Sequence, residues 1–126
     1  MAQEAIDWQL LSEVRYVNMV DMRTAYLTQK PRLSKNIRDL EDEEVEISGY
    51  ILPLDVSGSA FALSRYPYSA CFFCGGAGLE SVMDVWFKNP NQAFELDQYV
   101  KLRGILRLSV SGQGLIYLLD EAELVK

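Results

Sequence analysis

From Val45 onward the chain keeps a two-residue beat. Val45, Ile47, Gly49 and Ile51 alternate with Glu46, Ser48, Tyr50 and Leu52, and Pro53 closes the run. That period predicts a strand with one face turned to a core. Ser57-Gly58-Ser59 supplies a turn, and Ala60 to Ser64 pairs back as a second strand. Ser81 to Phe87 reads as a third, ended by Lys88-Asn89-Pro90-Asn91. Tyr99 to Val110 is the clearest, with Val100, Leu102, Gly104, Leu106 and Leu108 on one face and Lys101, Arg103 and Arg107 on the other. Ser111-Gly112-Gln113-Gly114 turns the chain into a fifth strand, Leu115 to Glu123.

The first third is less regular. Asp7 is placed to cap a short helical turn through Trp8, Leu10 and Leu11. Val14 to Val20 reads as a strand, residues 21–33 as extended chain, and Ser34 opens a short helix over Lys35-Leu40. No long amphipathic helix separates the five later strands. Gly49 and Gly104 interrupt apolar faces, which in a strand marks a bulge or a sharp coil. The expected fold is all-β with short helices: a five-stranded OB-like Greek-key barrel over residues 44–126, with residues 1–43 as an N-terminal extension packed on it. A β-sandwich is the alternative.

With 126 residues the chain is long enough for one self-sufficient core. Its formal net charge of −6, from 18 acidic and 12 basic side chains, repels phosphate backbones and argues against nucleic-acid binding. No Lys/Arg cluster relieves it, and no apolar run is long enough for a transmembrane segment. Histidine is absent, which removes the usual general base, the Ser-His and Cys-His nucleophile pairs and the commonest zinc ligand. The opening Met1-Ala2-Gln3-Glu4 fits a start residue added to a signal-cleaved mature end, and so a periplasmic or exported protein, with a cytoplasmic one as the other option.

Candidate chemistry gathers between the second and third strands. Residues 65–80 form a long connection that holds both cysteines, as Cys71-Phe72-Phe73-Cys74, followed by Gly75-Gly76-Ala77-Gly78. A connection of this length inside a compact domain is usually functional or disordered, and its aromatic side chains argue for order. C-x-x-C followed by glycine lets two sulfurs point at one centre. Three readings stay open. The pair binds a soft metal such as zinc, its ligand set completed by Glu80 or Asp84 or by a second copy across a symmetric dimer. It is a redox couple, although the glycines that follow are poor helix formers. Or the cysteines only pack, or join as a plain disulfide, beneath an aromatic surface. Tyr66, Tyr68, Phe72 and Phe73 are the residues of that surface, placed for contact with a protein partner or ligand. The acidic run Asp39-Leu40-Glu41-Asp42-Glu43-Glu44 lacks the alternating ligand spacing of calcium loops and reads as a solvated turn.

Val45 to Asp55, then Phe61 to Ser64, then Tyr66-Pro67-Tyr68-Ser69-Ala70-Cys71 resemble a bacterial family of small exported proteins and lipoproteins, domain-of-unknown-function family 3299. In that family a G-x-x-x-P-L strand, here Gly49 to Leu54, leads to a hairpin and then a cysteine-bearing loop. Leu106 to Leu119 resembles the family's closing hairpin. The resemblance spans roughly residues 44–124 and implies export, with no established reaction. It places Cys71 at the family's cysteine position and Cys74 near a histidine that many members carry. Cysteine and histidine both donate to zinc or copper, so the interchange favours the metal reading. The sequence therefore leads us to expect an exported, non-enzymatic binding domain whose Cys71, Cys74 and Glu80 hold zinc or another soft metal. A partner-binding module and a thiol oxidoreductase are the alternatives.

Overall fold

A computed structural model describes residues 4–20, 22, 27–54, 60–67, 78–89, 93–109 and 115–125. Along the chain run β1 (Glu4–Ala5), helix α1 (Trp8–Leu11), β2 (Val14–Val20), β3 (Leu27–Leu33), helix α2 (Lys35–Arg38), β4 (Glu44–Pro53) and β5 (Phe61–Ser64). A single 3-10 turn (Leu79–Ser81) then leads into β6 (Val82–Phe87), β7 (Tyr99–Leu108) and β8 (Tyr117–Leu124). All five strands read from the alternation after Val45 are present.

They close on themselves. The hydrogen-bonded order is β4-β5-β6-β8-β7, and β7 returns to β4 through Glu44↔Ile105 to Tyr50↔Tyr99. The β6–β8 pair is parallel and the other barrel pairs are antiparallel, so the barrel is mixed. This strand order and single parallel pair are those of a five-stranded OB-like Greek-key barrel. The alternation explains the closure: Val45, Ile47, Ile51, Leu102 and Leu106 are buried on the inner face, while Glu46, Arg103 and Arg107 face outward and pair with one another's carboxylates or with those of β8. Each fully buried aliphatic side chain contributes roughly 1.5–3 kcal/mol, so a one-residue slip of any strand is strongly disfavoured.

The two interrupting glycines have different physical reasons. A Cβ on Gly104 would stand 2.7 Å from the Asp120 carbonyl oxygen and 3.2 Å from Ala122 Cα. Opposite it, the β7–β8 register slips between Arg103 and Ile105, and Glu121 takes a left-handed φ of 49°. Gly104 thus faces a bulge carried by β8. At Gly49 there is close approach without a bulge: a Cβ would meet the Ser64 carbonyl at 2.7 Å and Trp8 Cζ2 at 3.3 Å.

Residues before β4 close one end of the barrel. β1 adds in parallel to β4 through Glu4↔Val45. Asp7 caps α1, its carboxylate accepting from Leu10 N–H at 2.9 Å, and Ser34 Oγ caps α2 by accepting from Ile37 N–H at 3.3 Å. These short helices deliver Trp8, Leu11 and Ile37 into the same core cluster as the barrel strands. The Trp8 indole N–H donates to the Ser48 carbonyl at 2.7 Å, and the buried Tyr117 hydroxyl donates to the Leu11 carbonyl at 2.6 Å. At the opposite end Phe61, Phe87 and Phe94 pack with ring centroids 5.3–5.6 Å apart. Strands β2 and β3 pair antiparallel as a separate ribbon, Val14↔Leu33 to Val20↔Leu27. Asp42, in the acidic turn, takes a left-handed φ of 64° and pairs with Arg107 at 2.6 Å on the surface.

Candidate functional site

The 65–80 connection leaves the barrel at Ser64 and rejoins it at the 3-10 turn. Its stems are tied together: Arg65 N–H donates to the Ser81 carbonyl at 2.9 Å, and Tyr66 N–H donates to Ser64 Oγ at 3.1 Å. On the returning side, Ser81 N–H and Oγ both donate to the Gly78 carbonyl, at 3.0 and 2.6 Å. Leu79 packs against the core. A buried serine at each stem, Ser64 and Ser81, thus satisfies backbone groups where the loop meets the barrel. The two feet of the connection therefore have a defined place on the scaffold.

Of the sequence-selected residues, Tyr66 and Glu80 stand at the two feet. Tyr66 is exposed, with the Arg65 guanidinium 5.4 Å from its ring centroid, a cation–π arrangement. Tyr68, Cys71, Phe72, Phe73 and Cys74 lie outside the described residues. Asp84, the other carboxylate considered for a metal, sits outward on β6 opposite Ala62 of β5. Burial raises its pKa, and hydrogen bonds from the Val85 N–H and the Trp86 side chain partly offset the rise.

Glu80 has an unusual environment. Its Oε2 is buried and has no hydrogen-bond partner among the described residues. The carboxylate folds back over Gly78, where a Cβ would collide with both oxygens. Burial raises the hydroxyl pKa of Tyr16, and the Glu80 charge adds to the rise. Tyr117 is raised further, by burial first and then by Tyr16, Glu80 and Glu13. The Glu80 charge is thus felt at two tyrosine hydroxyls, Tyr16 and Tyr117, while its own Oε2 lacks a donor among the described residues. Sequence reasoning selected Glu80 but missed Tyr16 and Tyr117, which arrive from β2 and β8, and Glu13, the residue just before β2. Among the described residues no three Cys, Asp or Glu converge as a metal site, and no helix is long and apolar enough to cross a membrane.

No family model matches the chain, and no curated protein matches it. Among solved structures it is similar to the crystal structure of a DUF3299 family protein from Pseudomonas aeruginosa PAO1. The two superpose with a TM-score of 0.62 over 100% of this chain and 98% of the other, at 17% identity. The chain has a DUF3299-like fold. The superposition covers the N-terminal residues as well as the barrel, so the DUF3299-like fold takes in β1, both helices and the β2–β3 ribbon. Shared fold at this identity carries the architecture alone.

Proposed function

We propose that this DUF3299-like protein is an exported, non-enzymatic binding domain whose 65–80 loop holds a soft metal ion, zinc or copper, through Cys71 and Cys74, with Glu80 as the acidic ligand. The observation that carries the reading is the buried Glu80 Oε2 with no donor among the described residues. A buried carboxylate oxygen is ordinarily hydrogen-bonded or bound to a cation, because leaving it unpaired costs several kcal/mol. Glu80 lies at the foot of the connection that carries both thiols, and the serine-tied stems set where that connection starts and ends. Thiolates and a carboxylate are an acceptable donor set for zinc, with water or a second chain completing four-coordination. The ion would cross-link the loop to the barrel. The family resemblance is what supports export.

The thiol-oxidoreductase alternative draws less support. A low thiol pKa is usually supplied by a helix N-terminus, and the described residues between the cysteines and β6 form one 3-10 turn of three residues. A partner-binding role for the same loop is favoured by exposed Tyr66 beside Arg65, with Tyr68, Phe72 and Phe73 following in sequence. The metal reading is tested by metal content after purification without chelator. One equivalent per chain, lost in Cys74→Ser, supports a site within the chain; half an equivalent supports one shared across a dimer. A metal-free chain whose mass is short by two hydrogens is a disulfide and sinks the proposal.

A further inference from the structure

Away from the 65–80 loop, a groove of about 840 Å³ runs between the β2–β3 ribbon, α2 and the end of β7. Its wall carries Arg15, Arg32, Lys35 and Arg38 against Glu13 and Glu41, four cations to two carboxylates, in a chain whose net charge is −6. Leu33 and Pro31 are buried in its floor, with half-buried Val14 and Leu108 beside them. That volume lies in the range of small-molecule sites.

The pairing of these cations sets them apart. On the barrel, Lys88, Lys101, Arg103 and Arg107 each reach a carboxylate within 4.0 Å. In the groove Lys35 pairs with Asp39 at 2.8 Å, while Arg15, Arg32 and Arg38 reach none among the described residues. Glu13 is engaged elsewhere, its Oε1 accepting from Asn36 Nδ2 at 3.3 Å. Arg15 and Arg32 are also direct cross-strand partners. Like charges placed opposite each other on a ribbon repel. In a protein with surplus carboxylates, three arginines with no carboxylate partner among the described residues line one groove, and an anion can be shared between two guanidinium forks.

We propose that this groove binds a phosphate group carried on an apolar body, the phosphate held by Arg15, Arg32 and Arg38 and the apolar part laid on Leu33 and Leu108. Phosphate suits the planar forks better than a halide does, because each guanidinium presents two parallel N–H donors. The apolar floor favours an organophosphate over the bare ion. The probes are phenyl phosphate, inorganic phosphate, and vesicles of phosphatidylcholine with phosphatidylglycerol.

Phenyl phosphate is expected to bind saturably and more tightly than inorganic phosphate, and to weaken with added salt. Loss of a charge-assisted bond should weaken binding about tenfold or more in Arg32→Gln and again in Arg38→Gln. Lys101→Gln, whose cation is paired on the barrel, should leave it unchanged. Both arginines are exposed, and an unaltered circular dichroism spectrum confirms that the variants fold. Vesicle binding that the same two substitutions abolish, without titration by soluble phosphates, places the phosphate on a lipid headgroup. The proposal is overturned if none of the three probes binds, or if Arg32→Gln and Arg38→Gln bind as the wild type does.

Discussion

Replacing Glu80 by methionine should reverse the sign of a stability difference depending on whether metal is present. The substitution keeps side-chain length and removes the buried Oε2 that lacks a donor among the described residues. A buried unsatisfied polar atom costs about 1–3 kcal/mol, and a charged one more. Removing it from the chelated, thiol-reduced protein should therefore stabilise the fold by about 1–3 kcal/mol. For a domain of this size that raises the melting temperature by several degrees, at roughly 3–6 °C per kcal/mol. With zinc at about a hundred times its dissociation constant, the wild type gains about 2.7 kcal/mol, because only the folded state assembles the ligand set. The variant, short of its carboxylate ligand, gains less, so the order of the two proteins inverts. Thermal unfolding followed by circular dichroism, with chelator and then with excess zinc, reads both differences. Equal destabilisation of Glu80→Met in the two conditions would refute the reasoning and leave Glu80 as a packing residue over Gly78.

Three further outcomes follow from the barrel and its cap. Gly104→Ala should cost about 2 kcal/mol, since overpacking against the Asp120 carbonyl and Ala122 Cα exceeds the unfolded-state gain of 0.4–1 kcal/mol; an unchanged urea midpoint would contradict the close approach. Asp84→Asn should be more stable than the wild type at neutral pH. The folded-state pKa of Asp84 lies above its ordinary 3.8, so between those two values the folded chain holds more protons and stability falls as pH rises. The advantage should vanish in acid below 3.8, and a gap that persists there would count against burial of Asp84 as its source. Tyr117→Phe should lose about 1 kcal/mol by orphaning the Leu11 carbonyl, and a neutral result in chemical denaturation would show that water replaces the hydroxyl.

What the amino-acid order reveals here follows the range of the interactions. Alternation over 45–52, 60–64, 81–87, 99–110 and 115–123 is a local property, and each run became a barrel strand with ends shifted by at most a few residues. The helix caps at Asp7 and Ser34 were equally readable, because each capping bond spans three residues. Gly104 was legible as an anomaly, but its cause sits in β8, where the register slips and Glu121 turns left-handed. The Tyr117–Leu11 bond joins residues 106 positions apart, and no periodic signal foretells it. The same limit hid the cationic groove. Arg15 and Arg32 form no run in sequence and meet only because β2 and β3 pair in register. At the 65–80 connection its length, cysteine spacing and terminal carboxylate were plain, while the tyrosines beside Glu80 come from distant strands.

The central functional claim is that the thiols at 71 and 74 and the Glu80 carboxylate share one metal ion. Cobalt(II) titration of the reduced protein tests it most directly, because cobalt takes the tetrahedral zinc site and reports its ligands in its absorption. Thiolate-to-cobalt charge-transfer absorption is expected to saturate at one equivalent per chain, or at half an equivalent across a dimer, to be bleached by added zinc, and to be lost in Cys74→Ser. A reduced wild-type protein that gives only the spectrum of aqueous cobalt would contradict it.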